Sequence, residues 1–409
     1  MGFPEFIREN MGNLGWLLDA PGPDEIDASG TLNKKALAAI EDAVQTELVA
    51  RMKGYYPAED LPLGKDPNNR WRTVSCMQKA IRFGDVDMAQ YAASAASTMD
   101  PKYLFRRLAV TAVEDVGAGN VFFTLASLAA LGSQAFRKSV DERRLACFLA
   151  KELAAGAKDR AICDLLICVD FNHKLPKVEW ASLPDDDLIE KIEDCADAGD
   201  IAGMMCATWL LAGTKRYAGE NMPTSNDRDS LRFRQLMVEA GTSRAFLYMA
   251  DKTSSRIGES MFASIVHVDN WLQQTEEITF DVQPIANRDK VGKLLGAAYD
   301  MHTREGRIAI GKFQKEYADD LERFQKHAFP GMAANMLHFG VFCAEGGQLD
   351  RKVVYQHVQE LRDLSLKVEL GYSGLPDELH QEWLAFLQSR VTELNECRAK
   401  VLYAKFGEG

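Results

Sequence analysis

Helix stop and start signals recur at short intervals between residues 75 and 170, and they constrain the fold more than any other feature of the chain. Ser75–Phe83 reads as a helix that stops at Gly84, and Asp85 can cap the next one, Val86–Ser97. Asp100-Pro101 joins an N-cap residue to a proline at the first helical position, where the missing N–H costs nothing; together they start Lys102–Val113. Gly117 ends that run, and Asn120 can cap Val121–Leu131, with Gly132 just past its end. Ser139 and Glu142 fit a capping box that opens a helix ending at Gly156, and Lys158–Val169 follows. Short helices with short connections pack against their neighbours antiparallel. The pattern therefore predicts an all-α fold, a multi-helix array of short antiparallel helices with a long C-terminal helix.

The remaining chain extends this reading. Leu32–Met52 has apolar residues at helical spacing and predicts one amphipathic helix. The loop-like stretch from Tyr56 to Asn69 marks a boundary, giving segments 1–72, 73–175, 176–275 and 276–409. Lys177 to Asp200 carries a local charge of −7 and predicts a helix with Asp185, Asp186 and Asp187 in its first turn, at the positive end of the dipole. Helices are expected at 200–211, 228–240, 243–256, 259–271, 288–301, 307–327, 332–343 and 351–370. Glu277–Val282 alternates like a strand, but no partner strand is evident. The terminal helix, Asp377–Phe406, aligns Leu379, Trp383, Leu387, Val391, Leu394 and Val401 along one stripe that should pack on its own domain.

Charge and cysteine usage narrow the function. A net charge of −12 argues against coating nucleic acid by bulk electrostatics, leaving room for a local basic face. The eight cysteines are dispersed among apolar residues with no C-x-x-C pair, the pattern of reduced, buried thiols in a cytoplasmic chain. Cys163 and Cys168 share a helical run, with His173 five residues later, but they lack the tight four-ligand spacing of a zinc site, so no metal or cofactor is expected. Glu5, Arg8 and Glu9 interrupt what would be the apolar core of a secretory leader. The uncharged run from Val116 to Phe136 holds a helix too short for a bilayer, which needs about 20 apolar residues, so no membrane partner is expected.

Two stretches resemble chemistry. Gly306 to Lys312 matches the first positions of a P-loop, but Phe313 stands where magnesium needs a hydroxyl and the flanks are helical, which excludes a P-loop ATPase. Asp300, His302 and Glu305 form a polar group that could serve a metal-dependent enzyme, or equally decorate a helix end. Near the array, Arg70, Trp71 and Arg72 offer a possible DNA contact. The acidic segment 185–200 could imitate DNA toward a basic partner.

Ser75–Gly117 resembles the region after the ATPase core in the RarA (MgsA) family of AAA+ clamp-loader-like proteins. Ser75, Lys79, Arg82, Asp85, Asp87, Ala89 and Tyr91 fall on a family pattern of the form S-A-x-x-K-x-x-R-G-S-D-x-D-A-A-L-Y-W. Asp100, Pro101, Arg106, Arg107 and Leu108 fall on D-P-x-x-x-x-R-R-L, and Glu114, Asp115 and Gly117 on E-D-x-G. Ala157 to Arg160 stands where the family has Ala-Pro-Lys-Ser-Asn. Phe83-Gly84 replaces Gly-Ser, Ala92 replaces Trp, and only 74 residues precede Ser75 where the family has its ATPase core. The resemblance implies an assembly module without catalytic residues. Lys79, Arg82, Asp85, Asp87, Arg106, Arg107, Glu114 and Asp115 would form a charge network within or between subunits. It further implies a homo-oligomer, phage-encoded among other possible origins, that acts with a protein partner in DNA replication or repair.

Overall fold

The computed structural model describes residues 2–58, 70–224 and 230–406. Most of the helix signals act at the positions the sequence assigns them. Asp85 accepts from the Met88 amide at 3.0 Å and opens Val86–Met99. Asp100 accepts from Tyr103 at 3.0 Å and opens Pro101–Thr111, and Asn120 caps Val121–Gly132. Gly84 takes φ +66° at the end of Arg70–Arg82, a left-handed turn that side chains resist. The expected capping box is replaced by two caps. Ser133 opens Gln134–Ser139, and Asp141 opens Glu142–Ala155.

The helical run Pro101–Gly132 is long and apolar enough to cross a membrane, yet 83% of its apolar window is buried inside the fold. It serves as the centre of the main core. Helix Lys34–Arg51 packs Ile40, Val44 and Leu48 into that same core; of the boundary expected at Tyr56–Asn69, residues 59–69 lie outside the described residues. A second core, containing Phe313, Phe324, Met336, Trp383, Leu394 and Val401, is built by the helices after residue 304.

Four expectations after residue 275 are corrected. Thr279–Val282 does have a partner. It pairs antiparallel with Arg351–Val354, Thr279 opposite Val354 and Val282 opposite Arg351. The expected helix 351–370 therefore begins only at Val358. Cross-strand pairing explains the change, since Lys352 faces Asp281 with an ion pair of 3.0 Å and Val353 is buried. Residues expected as helix 288–301 form a small hairpin, Lys290–Val291 against Leu294–Leu295, turning at Gly292 with φ +65°. The long terminal helix breaks at Arg390 into His380–Ser389 and Val391–Phe406, where the Arg390 guanidinium reaches Asp320 and Glu393. Its stripe residues Trp383, Leu387, Val391, Leu394 and Val401 are buried within the chain.

Gly306 to Lys312, the P-loop-like stretch, is a helix within Arg304–Glu316. Gly306 is required by packing, because a Cβ there would lie 2.0 Å from the Asp300 carbonyl oxygen. The acidic segment forms Asp185–Asp197, which buries Leu188 and leaves Asp186, Asp187 and Glu190 in solvent.

Candidate functional site

The end of helix Arg70–Arg82 is closed by residues far along the chain. The Arg82 carbonyl accepts from the Asp350 amide at 3.0 Å, and the Phe83 carbonyl from Arg288 at 2.6 Å. Ser75 donates to the Ala298 carbonyl at 2.8 Å. Helix periodicity then turns Lys79 and Arg82 inward, where they are 3% exposed. Opposite them, the chain after Thr111 widens into a π-turn, Ala112–Val116, which presents Glu114 and Asp115.

Asp115 lies fully buried between two guanidiniums, Arg82 Nε at 2.8 Å and Arg160 Nη1 at 3.0 Å. Arg82 also stands 3.7 Å from Glu114 and donates to the Gly346 carbonyl at 2.9 Å. Lys79 forms an ion pair with Asp300, which accepts the His302 amide at 2.9 Å as well. Burial by itself would raise the Asp300 carboxyl, but the Lys79 ammonium holds it below the usual carboxylate range. The Phe342 ring underlies the group, with Lys79, Arg82 and Arg160 at 5.5, 5.4 and 5.9 Å from its centroid and His302 edge-on at 5.4 Å.

The network continues outward. Arg398, 1% exposed, pairs with Glu345 and donates to the Tyr299 carbonyl at 3.1 Å, while Asn287 donates to Glu345 at 2.7 Å. Lys158 is 3.6 Å from Asp350, and burial pulls its ammonium down to about 8. Asp159 accepts from the Tyr355 hydroxyl at 3.0 Å, and Asp164 accepts from Ser365 at 3.1 Å. The helix expected from Lys158 begins only at Ala161, because Lys158 bridges to the strand Arg351–Val354. Its amide donates to Arg351 at 2.8 Å, and its carbonyl accepts from Val353 at 3.0 Å.

Two separate sequence features thus meet. The cations Lys79 and Arg82 with Glu114 and Asp115, and the polar group around Asp300, form one buried cluster. Of the other expected residues, Asp85 acts as a helix cap and Asp87 stands exposed in that helix's first turn. Arg106 makes an exposed pair with Glu259 at 3.2 Å, and Arg107 acts through space on Glu114, helping Arg82 and Arg160 to lower its carboxyl against burial. Glu305 sits in the first turn of Arg304–Glu316. Among the described residues no group of three or more His, Cys, Asp and Glu is arranged to hold a metal ion.

The basic triplet divides. Arg70 pairs with Asp100 at 3.0 Å and covers Trp71, whose ring packs on Tyr103. Arg72 is only 2% exposed, so it is withdrawn from any surface contact with DNA. The helical spacing explains this, because Arg72 lies on the inward side with Ser75, Cys76 and Lys79.

Asp164, Glu345, Arg362 and Arg398 are not marked by the sequence reading, and Arg160 enters it only through the weak family match at 157–160. One signal existed for Arg398. It lies four residues after Leu394 and three before Val401, a charged residue on an otherwise apolar stripe. Beside the cluster lies a cavity of about 200 Å³, lined by Arg160, Asp164, Cys343, Arg362, Ser365 and Glu369. Comparison of the chain with family models, with curated proteins and with solved structures gives no match.

Proposed function

We propose that this chain is a non-enzymatic, self-associating helical accessory of DNA replication or repair machinery, with its collar-like array locked to its own C-terminal part. The observation that carries this reading is Asp115, buried between Arg82 and Arg160. Four of the charged residues that match the RarA pattern, Lys79, Arg82, Glu114 and Asp115, are held in internal pairs, as expected of an assembly scaffold and not of a centre that must present a free acid or base. Asp300, the key carboxylate of the enzymatic alternative, is likewise held by Lys79.

Contacts with partners then fall to the surface left open. Arg70, Trp71 and Arg106 stand at least partly exposed on adjoining helices Arg70–Arg82 and Pro101–Thr111. Light scattering on the eluted protein tests self-association. A dimer or larger species at micromolar concentration is expected, and a clean monomer would contradict that part. Reversing Arg70 and Arg106 to Glu should abolish a salt-sensitive gel shift with DNA, and absence of any shift by the native chain in low salt would remove direct DNA contact from the proposal.

A further inference from the structure

The cavity beside the cluster contains a feature that the internal pairing does not account for. Arg362 lines it, and its side chain is 10% exposed. Its Nη2 donates to the Val353 carbonyl at 2.6 Å and stands 4.0 Å from Asp159. Its Nε and Nη1 are buried with no hydrogen-bond partner. An arginine stays charged at any working pH, and each buried donor without a partner costs about 1–3 kcal/mol. The space alongside, about 200 Å³, far exceeds the ~15 Å³ that one water requires.

We propose that this cavity binds a small oxyanion, a carboxylate or phosphate group, on the guanidinium of Arg362. Nη2 has a second hydrogen besides the one given to Val353, and together with Nη1 or Nε it completes an edge that donates two parallel hydrogen bonds, the geometry such a group accepts. The carboxyls that also line the cavity do not compete strongly. Asp164 is taken by Ser365 and stands 3.7 Å from Arg160, and Glu369 is bonded to Cys343. Burial pushes both carboxyls upward, which weakens their opposition to an anion. Arg160 and Lys352 also line the cavity, but Arg160 is paired with Asp115 and Lys352 with Asp281, which leaves Arg362 as the cation with unused donors.

The test is a thermal-shift titration of the full chain with sodium phosphate and, separately, sodium acetate, each against sodium chloride at matched ionic strength. A saturable rise in Tm with phosphate alone assigns a phosphate group, and a rise with acetate alone assigns a carboxylate. Arg362→Lys keeps the charge but loses the fork, and should weaken the apparent affinity roughly tenfold or more. No anion-specific rise in the native chain overturns the proposal, as does a rise of equal affinity in Arg362→Lys. If that variant does not fold, selenate soaked into crystals of the native chain decides. An anomalous peak within about 3.5 Å of the Arg362 guanidinium supports the site, and none at saturating selenate overturns it.

Discussion

Replacing Lys79 by Met removes a cation and keeps the length of the side chain. It leaves the Asp300 carboxylate, 0% exposed, with little beyond the His302 amide to compensate its charge. Breaking a buried ion pair from one side costs about 3–5 kcal/mol, several times the value of a surface pair. Lys79→Met should therefore lower the unfolding free energy by about that amount in guanidinium titrations followed by tryptophan fluorescence. Asp300→Asn leaves the Lys79 ammonium, 3% exposed, without its counter-charge and should cost a similar amount. The double variant carries no uncompensated charge, so its loss should fall short of the sum by about 0.5–3 kcal/mol. A cost below about 1 kcal/mol for Lys79→Met, the level of an exposed pair, would refute the reasoning. So would strict additivity in the cycle.

Further outcomes follow from the same geometry. Glu345→Gln strips the carboxylate from Arg398, which is 1% exposed, and should cost about 3–5 kcal/mol in the same titration. Gly306→Ala would ordinarily gain about 1 kcal/mol of helix propensity, but its Cβ would meet the Asp300 backbone at 2.0 Å, so a loss of at least about 1–3 kcal/mol is expected. Burial pushes the Asp269 carboxyl up to about 7 while it accepts from the Ser243 hydroxyl at 2.7 Å. Because the folded value lies above the unfolded one of about 3.9, the protonated form favours folding; that contribution is full below about pH 4 and is lost as pH rises through about 7. Asp269→Asn should thus gain Tm relative to the native chain as pH rises from about 4 to about 7, and a constant difference would contradict the assignment.

Local chemistry made the array legible. Asp85, Asp100 and Asn120 cap helices where their spacing says they should, because capping depends on a few neighbouring atoms. The region after residue 275 was misread for the opposite reason. Arg351–Val354 is a strand because of Thr279–Val282, some seventy positions away, and no local propensity encodes that partner. The site was half visible. Lys79, Arg82, Glu114 and Asp115 were marked by their charge density, and Asp300 by its polar company, but nothing local linked the two groups. Arg362 lies inside a stretch that reads only as helix, and only the packing of Arg351–Val354 gives it a buried carbonyl to hold.

Lys79, Arg82, Glu114 and Asp115 act inward and unite the helical array with the C-terminal core. Hydrogen exchange read by mass spectrometry along a denaturant series tests this union most directly. In the native chain, peptides covering Val74–Ile81 and Met336–Val341 should lose protection at the same denaturant concentration. In Arg82→Leu the two should separate, with the C-terminal peptide opening first. Separate transitions in the native chain, or a common one that survives Arg82→Leu, would contradict the account.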